Sequence, residues 1–509
     1  MTYYLGITIG PITRFLGSAR RLRELWFCSY TFSFLMKSIC NELTIKYGDS
    51  IIFILPNHEI LKEGSKKGVG TYPDRLIVAS KSDLKLDIVR SIIESVLVNY
   101  ASLIQVPGLI NFDEALKFSQ QYFRVNSIKL NIDDLLNTNS INSSHENISR
   151  VIDLLQQADL ENRIIEFDEN RFLQRLFNKL PDTEFFKSQY KTKQDDRFPS
   201  LLEIATASLL HNLPNQDKSS LINKYFFNSN EENDNSFFKE LKNLVQQNVI
   251  KSHHKYVAIV TADADGVGNY LSTLNDVEKL KFSETMFNWS NYTYNILKEF
   301  SAVPIYVGGD DLLFVSPIVS NGSDIIELCK IIQREFKITV NSKNMPDLGI
   351  SFGISIFYYK FPLAEALINA HELLAEMKFN KKVNHLNILV RKHSGRKFQF
   401  SLDPNSAIYS KFLDTLKFAN KDNLLNSFIH NLHEFSDLHE YIGVNFNRRT
   451  NFFKNNIEDY SSNKYLESST VLLNEIILKE QGELKSSLEL TYNLLRYINF
   501  AKGLDENDN

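Results

Sequence analysis

Gly308-Gly309-Asp310-Asp311 joins two apolar runs, 305–307 and 312–315. Runs of that length and residue type predict buried strands. The two glycines between them predict a tight hairpin with positive φ, bare enough for a phosphate to approach the backbone. Adjacent carboxylates repel one another unless a cation lies between them, and Mg²⁺ prefers such oxygen ligands, so Asp310 and Asp311 are candidate metal ligands. A further acid stands where the apolar run 256–261 leads into Ala262-Asp263-Ala264-Asp265-Gly266-Val267-Gly268. If these strands are neighbours in one sheet, Asp263 meets Asp310 and Asp311 at its edge, as metal-assisted phosphoryl transfer requires. The metal would draw charge off the phosphates and lower the pKa of the attacking hydroxyl. The plainer alternative is a solvated hairpin tip with Asp263 capping a loop, since glycine and aspartate are ordinary turn residues.

The elements that must position these acids follow one order. Patterning predicts a strand over 256–261, a helix over 276–300, strands over 303–307 and 312–316, a helix over 324–338 and a strand over 349–357. That is the split βαβ, ferredoxin-like arrangement. The first third predicts it too: a strand over 4–9, a long helix entered at Gly10-Pro11, strands over 51–55 and 76–78, a helix over 83–103 and a strand over 123–132. Ile9-Gly10-Pro11 there takes the place of Asp263, and no acidic pair sits in a tight hairpin, so one half is expected to be catalytic and the other not. The expected class is α+β: 1–132 non-catalytic, 133–250 a helical insert, 251–395 catalytic and 396–509 a C-terminal helical domain. Polar stretches at 133–149, 228–235 and 505–509 read as linker, break and tail.

Other features are more ambiguous. Arg14, Arg20, Arg21 and Arg23 leave one side of the first helix cationic, which suits solvent and phosphate alike. Gly68-Val69-Gly70-Thr71-Tyr72-Pro73-Asp74-Arg75 is a glycine-rich loop entering a strand. In 349–356, Ile350, Phe352, Ile354 and Ile356 alternate with Ser351, Gly353 and Ser355, so one face packs and the other leaves room for a close neighbour. The helix 363–377 ends in Lys378, with Lys381 and Lys382 behind it; these suit a triphosphate or the helix dipole. His253 and His254 read as solvated strand flanks.

A chain of 509 residues with net charge -4 has room for two to four domains and is not built to hold nucleic acid by bulk electrostatics. Only Cys28, Cys40 and Cys329 occur, with no Cys-x-x-Cys pair, so no zinc site and no disulfide framework are expected. No apolar run approaches the ~20 residues of a membrane span, and no signal-peptide pattern opens the chain, so a cytoplasmic protein without membrane contact is expected.

Ile7-Thr8-Ile9-Gly10-Pro11-Ile12, Ala19-Arg20-Arg21, Arg23-Glu24-Leu25-Trp26, Ala262-Asp263-Ala264-Asp265-Gly266-Val267-Gly268 and Gly308-Gly309-Asp310-Asp311, in that order, resemble one family. It is the large, polymerase-like subunit of type III-B CRISPR RNA-guided effector complexes. The resemblance implies that both ferredoxin-like domains are palm domains. It also implies synthesis of an adenylate second messenger from ATP when target RNA pairs with the guide, for antiviral defence. The implied partners are CRISPR RNA, target RNA and other type III-B subunits. By the same resemblance Asp263, Asp310 and Asp311 hold Mg²⁺ or Mn²⁺ with Asp265 beside them, Gly266, Gly308 and Gly309 line the nucleotide, and Lys378 contacts phosphate. Many members carry a nuclease domain and a cysteine zinc module; neither is recognisable here, and no His-Asp pair occurs, so no DNA cleavage is expected. Asp74 stands where asparagine is more usual, which leaves the second substrate open between ATP, giving cyclic oligoadenylates, and S-adenosylmethionine. A solvated turn aspartate is the plain alternative. Two other readings share the acids: a catalytically silent RNA-complex scaffold and a free-standing nucleotide cyclase.

Overall fold

The computed structural model describes residues 3–64, 66–131, 144–159, 168–190, 197–227, 234–245, 249–341, 348–420, 445–457, 463–480 and 483–504, with the single residues 432, 442 and 460. Of the polar stretches expected at 133–149, 228–235 and 505–509, residues 133–143, 228–233 and 505–509 lie outside these, while 144–149 and 234–235 are not linker but open helices Ser144–Asp159 and Asp234–Leu244. Strands β1 (Tyr3–Gly10), β2 (Ile51–Leu55), β3 (Arg75–Ser80) and β4 (Arg124–Asn131) form an antiparallel sheet in the order β2-β3-β1-β4. With helices Leu22–Tyr47 and Leu86–Leu103 this is the ferredoxin-like arrangement. The long first helix is broken into Ile12–Gly17 and Leu22–Tyr47. The Glu24 carboxylate turns back to accept the Arg20 and Arg21 amides at 2.8 and 3.0 Å, which caps a second helix and forbids a continuous one. The arginine side is divided accordingly: Arg14 pairs with Glu169, while Arg20 and Arg21 are exposed.

The second sheet contains β5 (Tyr256–Asp265), β6 (Val303–Gly308) and β7 (Asp311–Pro317). A short ribbon, β8 (Val319–Ser320) with β9 (Ser323–Asp324), follows, and then β10 (Gly349–Tyr358), β11 (Leu386–Arg391) and β12 (Lys397–Leu402) complete the sheet. Its order is β12-β11-β10-β5-β7-β6. Strands β5, β6, β7 and β10 with helices Asp276–Glu299 and Ile325–Asn341 repeat the ferredoxin-like pattern. Helix Leu363–Phe379 then crosses over to β11, which runs parallel to β10, and β12 closes the edge. The sheet therefore runs on past residue 395, to Leu402.

Alternation in β10 works as its residues dictate. Ile350, Phe352, Ile354 and Ile356 are buried in a core with Trp289 and Phe336. On the other face Gly353 lies against the backbone of helix Leu363–Phe379, at Ala370 and Leu374. Val257, Ile259, Leu313 and Val315 on that face share one core with Trp26, Phe27 and Phe185, so apolar packing is continuous between the two sheets. The described residues between β4 and β5 are mostly helical, and their first helix, Ser144–Asp159, covers the outer face of the first sheet through Ile148, Val151 and Leu155. Gly6 permits that approach: a Cβ there would stand 2.9 Å from Leu155 Cδ1.

Helices Ala407–Phe418, Phe446–Asn456, Lys464–Lys479 and Leu484–Lys502 follow the second sheet. The last of them accounts for a correction. His253 and His254 are not solvated but 4 % and 5 % exposed, because their short turn packs under that helix. Their rings lie 4.3 Å apart, and His254 Nδ1 accepts the Lys251 amide at 2.9 Å. Burial drives both pKa values down, that of His254 to about 4. Among the described residues no helix is long and apolar enough to cross a membrane.

Asp324, at the end of the β8–β9 ribbon, meets the same C-terminal helix. It accepts the Glu327 amide at 2.9 Å and the Tyr497 hydroxyl at 3.2 Å, and burial raises its pKa from 3.8 to about 6. The folded protein thus binds the proton more tightly than the unfolded chain. The stability Asp324 contributes is full below pH ~4 and is lost as pH rises through about 6. Asp324→Asn keeps an acceptor oxygen without the charge. It is expected to be about 2–3 kcal/mol more stable than the parent at pH 8 and equal to it near pH 4, by thermal melting across that range.

Candidate active site between the two sheets

Register brings the first two acids together. Asp263 on β5 lies directly opposite Asp311 on β7 and, on its other side, opposite Ser351 on β10. Residues directly opposed in antiparallel strands have Cα atoms about 4.5–5.5 Å apart and side chains on one face. Asp265, two residues on from Asp263, shares that face. The apolar core of Ile259, Leu313 and Val315 ends where these acids begin, so they stand at the mouth of a packed interface.

The four acids have different partners. Asp263 forms an ion pair with Lys378, the residue next to the end of helix Leu363–Phe379. Asp265 accepts the Ser351 hydroxyl at 2.7 Å and the Asn384 amide at 3.0 Å; burial raises its pKa and these two bonds oppose the rise. Asp310 and Asp311 both have raised pKa values. Burial is the main cause, followed for Asp311 by the charges of Asp310 and then Asp74. Asp311 is nevertheless exposed to solvent: it is open to a small molecule while the walls of a cleft remove most of the water around it.

That cleft is a cavity of about 480 Å³ between the sheets, lined by Asp74, Lys279, Tyr306, Gly309, Asp310 and Asp311 among others. Its far wall is the glycine-rich loop of the first domain. Trp26 Nε1 donates to the Gly68 carbonyl at 2.7 Å, and Ser33 Oγ accepts the Thr71 and Tyr72 amides at 2.9 Å each. Gly70 bridges to Tyr306 as a strand would, with Gly70 N donating to Ile305 O at 3.2 Å and Val307 N to Gly70 O at 2.9 Å. Helix Leu22–Tyr47 and the β6 edge therefore fix the loop that delivers Asp74. Asp74 is half-buried rather than a solvated turn residue, and burial raises its pKa.

The glycines divide by role. Gly309, at φ 62°, would place a Cβ in open space, so a ligand can reach its backbone. Gly308 also lines the cavity but leaves no room for a side chain, since a Cβ there would meet the Thr71 carbonyl oxygen at 2.7 Å. Gly266, at φ 83°, begins the short helix Val267–Thr273. Sequence reasoning missed Lys279, 1 % exposed in the cavity wall; the Asn275/Glu278 capping box just before it marks a helix start there. It placed Ser351 on the open face of its strand without linking it to Asp265, and missed Asn384; proximity in the fold is what joins both to that acid.

Hard carboxylate oxygens suit a divalent cation such as Mg²⁺. Among the described residues, however, no three His, Cys, Asp or Glu side chains converge to hold a metal ion. Asp263, which would complete the set, is turned to Lys378.

Two family profiles match, "Cas10/Cmr2, second palm domain" over residues 256–387 and "CRISPR-associated protein Cmr2, N-terminal" over residues 4–100. Over these two stretches the chain resembles the Cas10/Cmr2 family. The Cmr subunit Cmr2 of Pyrococcus furiosus is 27 % identical over 147 residues, covering 24 % of this chain and 16 % of that protein. An apo type III-B Cmr-β cryo-EM structure has a similar fold, with a TM-score of 0.61 at 12 % identity over 99 % of this chain and 82 % of that one. A crystal structure of a Csm1-Csm4 cassette in complex with AMPPNP gives 0.57 at 12 % identity over 98 % and 70 %. The second ferredoxin-like unit thus matches a palm domain, and the first, of the same fold, matches the N-terminal profile. Asp263, Asp265, Asp310, Asp311 and Lys378 all fall within the stretch matched by the second-palm profile, and Asp74 within that matched by the N-terminal profile.

Proposed function

We propose that this chain is the large subunit of a cytoplasmic type III-B CRISPR effector complex, assembled with CRISPR RNA and other subunits. Target RNA activates it to transfer a nucleotidyl group from ATP. The observation that carries this reading is Asp311, in register with Asp263, lining with Asp310 an interdomain cavity that Asp74 lines from the other domain. The cavity is in the size range of small-molecule sites and offers separate walls for a donor and an acceptor.

In the proposed reaction a ribose hydroxyl of the acceptor attacks the α-phosphate of ATP and pyrophosphate leaves. A divalent cation held by Asp263, Asp310 and Asp311 would supply charge neutralisation and a lower hydroxyl pKa. The protein's own groups do the positioning. Gly309 lets the phosphates approach the hairpin backbone, and the Lys279 and Lys378 ammoniums offset phosphate charge. The loop held by Trp26 and Ser33 fixes Asp74 beside the acceptor. An acid there, in a partly dry wall, suits either ribose hydroxyls or the amino group of S-adenosylmethionine. The product is accordingly a cyclic oligoadenylate or an ATP/S-adenosylmethionine conjugate that serves as an antiviral second messenger.

Mass spectrometry of the products of the reconstituted, target-activated complex tests this, first with ATP alone and then with S-adenosylmethionine added. Asp74→Asn is expected to lower turnover about 10- to 100-fold by raising the acceptor KM while the complex still assembles. Unchanged acceptor kinetics would remove Asp74 from the site. The pairing of Asp263 with Lys378 favours a second reading, a silent scaffold; release of no pyrophosphate by the activated wild-type complex would establish that instead.

A further inference from the structure

Asp74 and Arg75 are successive residues where the chain enters β3, and both line the cavity between the sheets. Side chains of successive extended residues leave on opposite sides, so these two do not close on each other. Asp74 is the one whose charge bears on Asp310 and Asp311. Arg75 stands on the other face, directly opposite Thr8 of β1 and in line with Ile77 and Ala79, which pack under helix Ser144–Asp159.

The Arg75 guanidinium has nothing to hold. Among the described residues its side chain makes no hydrogen bond and no ion pair, although its Nε is shielded from solvent. The polar groups around it are already matched to one another. Asp159, at the end of that helix, accepts the Asn126 side-chain amide at 3.0 Å and the Thr8 hydroxyl at 3.4 Å, and its backbone carbonyl accepts Arg124 Nη1 at 3.5 Å. Asp153, earlier on the same helix, lines the cavity but is exposed and forms no ion pair with Arg75. Only Asp74 registers the cation: burial raises the Asp74 pKa, and the Arg75 charge opposes the rise.

Shielding part of a guanidinium is unfavourable unless an anion meets it, and here the open side is the cavity. Its fork of N–H donors matches two oxygens of a phosphate or a carboxylate at once. The other cation in the lining, Lys279, comes from helix Asp276–Glu299 of the second domain. Each wall of the cavity therefore carries a cation of its own.

We propose that Arg75 is the anion-binding residue of the acceptor subsite: its guanidinium takes the phosphate or carboxylate oxygens of the acceptor, while Asp74 beside it takes a hydroxyl or ammonium of the same molecule. This rests on the two-substrate reading above and adds how the acceptor is selected. A bipolar pair favours a ligand that carries both an anion and a donor over one that lacks either. The recognition needs no metal ion, so it is measurable in the presence of a chelator.

Equilibrium binding to the full chain in EDTA is compared for two pairs of probes, ATP with adenosine and S-adenosylmethionine with decarboxylated S-adenosylmethionine. The second member of each pair lacks the anionic group of the first, and the quantity read is the ratio of affinities within the pair. Wild type is expected to prefer the anionic member of one pair. Arg75→Gln should cut that preference about ten- to a hundredfold while the anion-free counterpart binds as before. The pair whose ratio falls identifies the anion as phosphate or carboxylate. Arg75→Lys keeps the charge without the fork and should restore part of the ratio. Unchanged binding of the counterpart by Arg75→Gln excludes a folding defect. A preserved ratio in Arg75→Gln, or equal loss for both members, overturns the role of Arg75 and leaves the acceptor site standing. A wild type with no preference for either anionic member overturns the inference as well. Absence of binding by all the probes at millimolar concentration overturns the two-substrate reading itself and the inference with it.

Discussion

Replacing Asp310 and Asp311 together by asparagine is expected to reduce pyrophosphate release from the target-activated complex by at least about a thousandfold, with assembly unaffected. The two acids sit on a hairpin whose flanking strands are buried in both cores, and asparagine keeps their volume, so the fold has no reason to change. What is lost is negative charge at the point where phosphate charge must be managed. A second readout separates this from general damage. Burial raises both folded-state pKa values above those of the unfolded chain, and the Asp74 charge adds to the rise. The folded protein therefore prefers these groups protonated, and their ionisation costs stability as pH climbs through the raised values. The inactive variant should melt at a higher temperature than the parent at pH 7–8, and the difference should shrink as pH falls toward 4. A variant that is both inactive and less stable at pH 8 would mean that the carboxylates serve the hairpin rather than the chemistry.

The same acids show which parts of the site the chain displays openly. Strands β5, β6 and β7 could be read directly because each is an apolar run ending on acids or glycines, and turn chemistry marks the join. Their adjacency was an inference from ferredoxin-like order, and the Asp263–Asp311 register follows from it. Edge strand β12 was missed although Lys397-Phe398-Gln399-Phe400-Ser401-Leu402 alternates cleanly, because the polar turn at 393–395 before it suggested the end of the domain. Burial of His253 and His254 depends on a helix some 230 positions later, which no local pattern reports. Asp74 is the sharper case: its loop could be recognised by its glycines, but its approach to Asp310 and Asp311 depends on Gly70 adding to β6 across the domain boundary. Likewise Lys378 was legible as a helix-end cation and equally suited to phosphate or dipole; its actual partner, Asp263, is neither.

How closely Lys378 is placed depends on one glycine, and Gly353→Ala should have the largest effect on stability of any single methyl added near the site. An alanine Cβ at 353 would stand 2.8 Å from the Leu374 amide nitrogen and closer still to the Ala370 carbonyl oxygen. Both are backbone atoms of a helix that cannot rotate away as a side chain could. The helix must therefore lift from the sheet, breaking the Thr261 hydroxyl bond to Ala370 and loosening Leu367 and Ala370 in the shared core. A loss of about 3 kcal/mol is expected, read as a lowered denaturant midpoint. Gly268→Ala is the control, since a methyl there meets nothing within 4 Å; it should be neutral or slightly stabilising. The displacement also carries Lys378 with it. A well-folded Gly353→Ala protein with unchanged stability would mean that the helix does not rest on β10 at this point, and that the placement of Lys378 has another source.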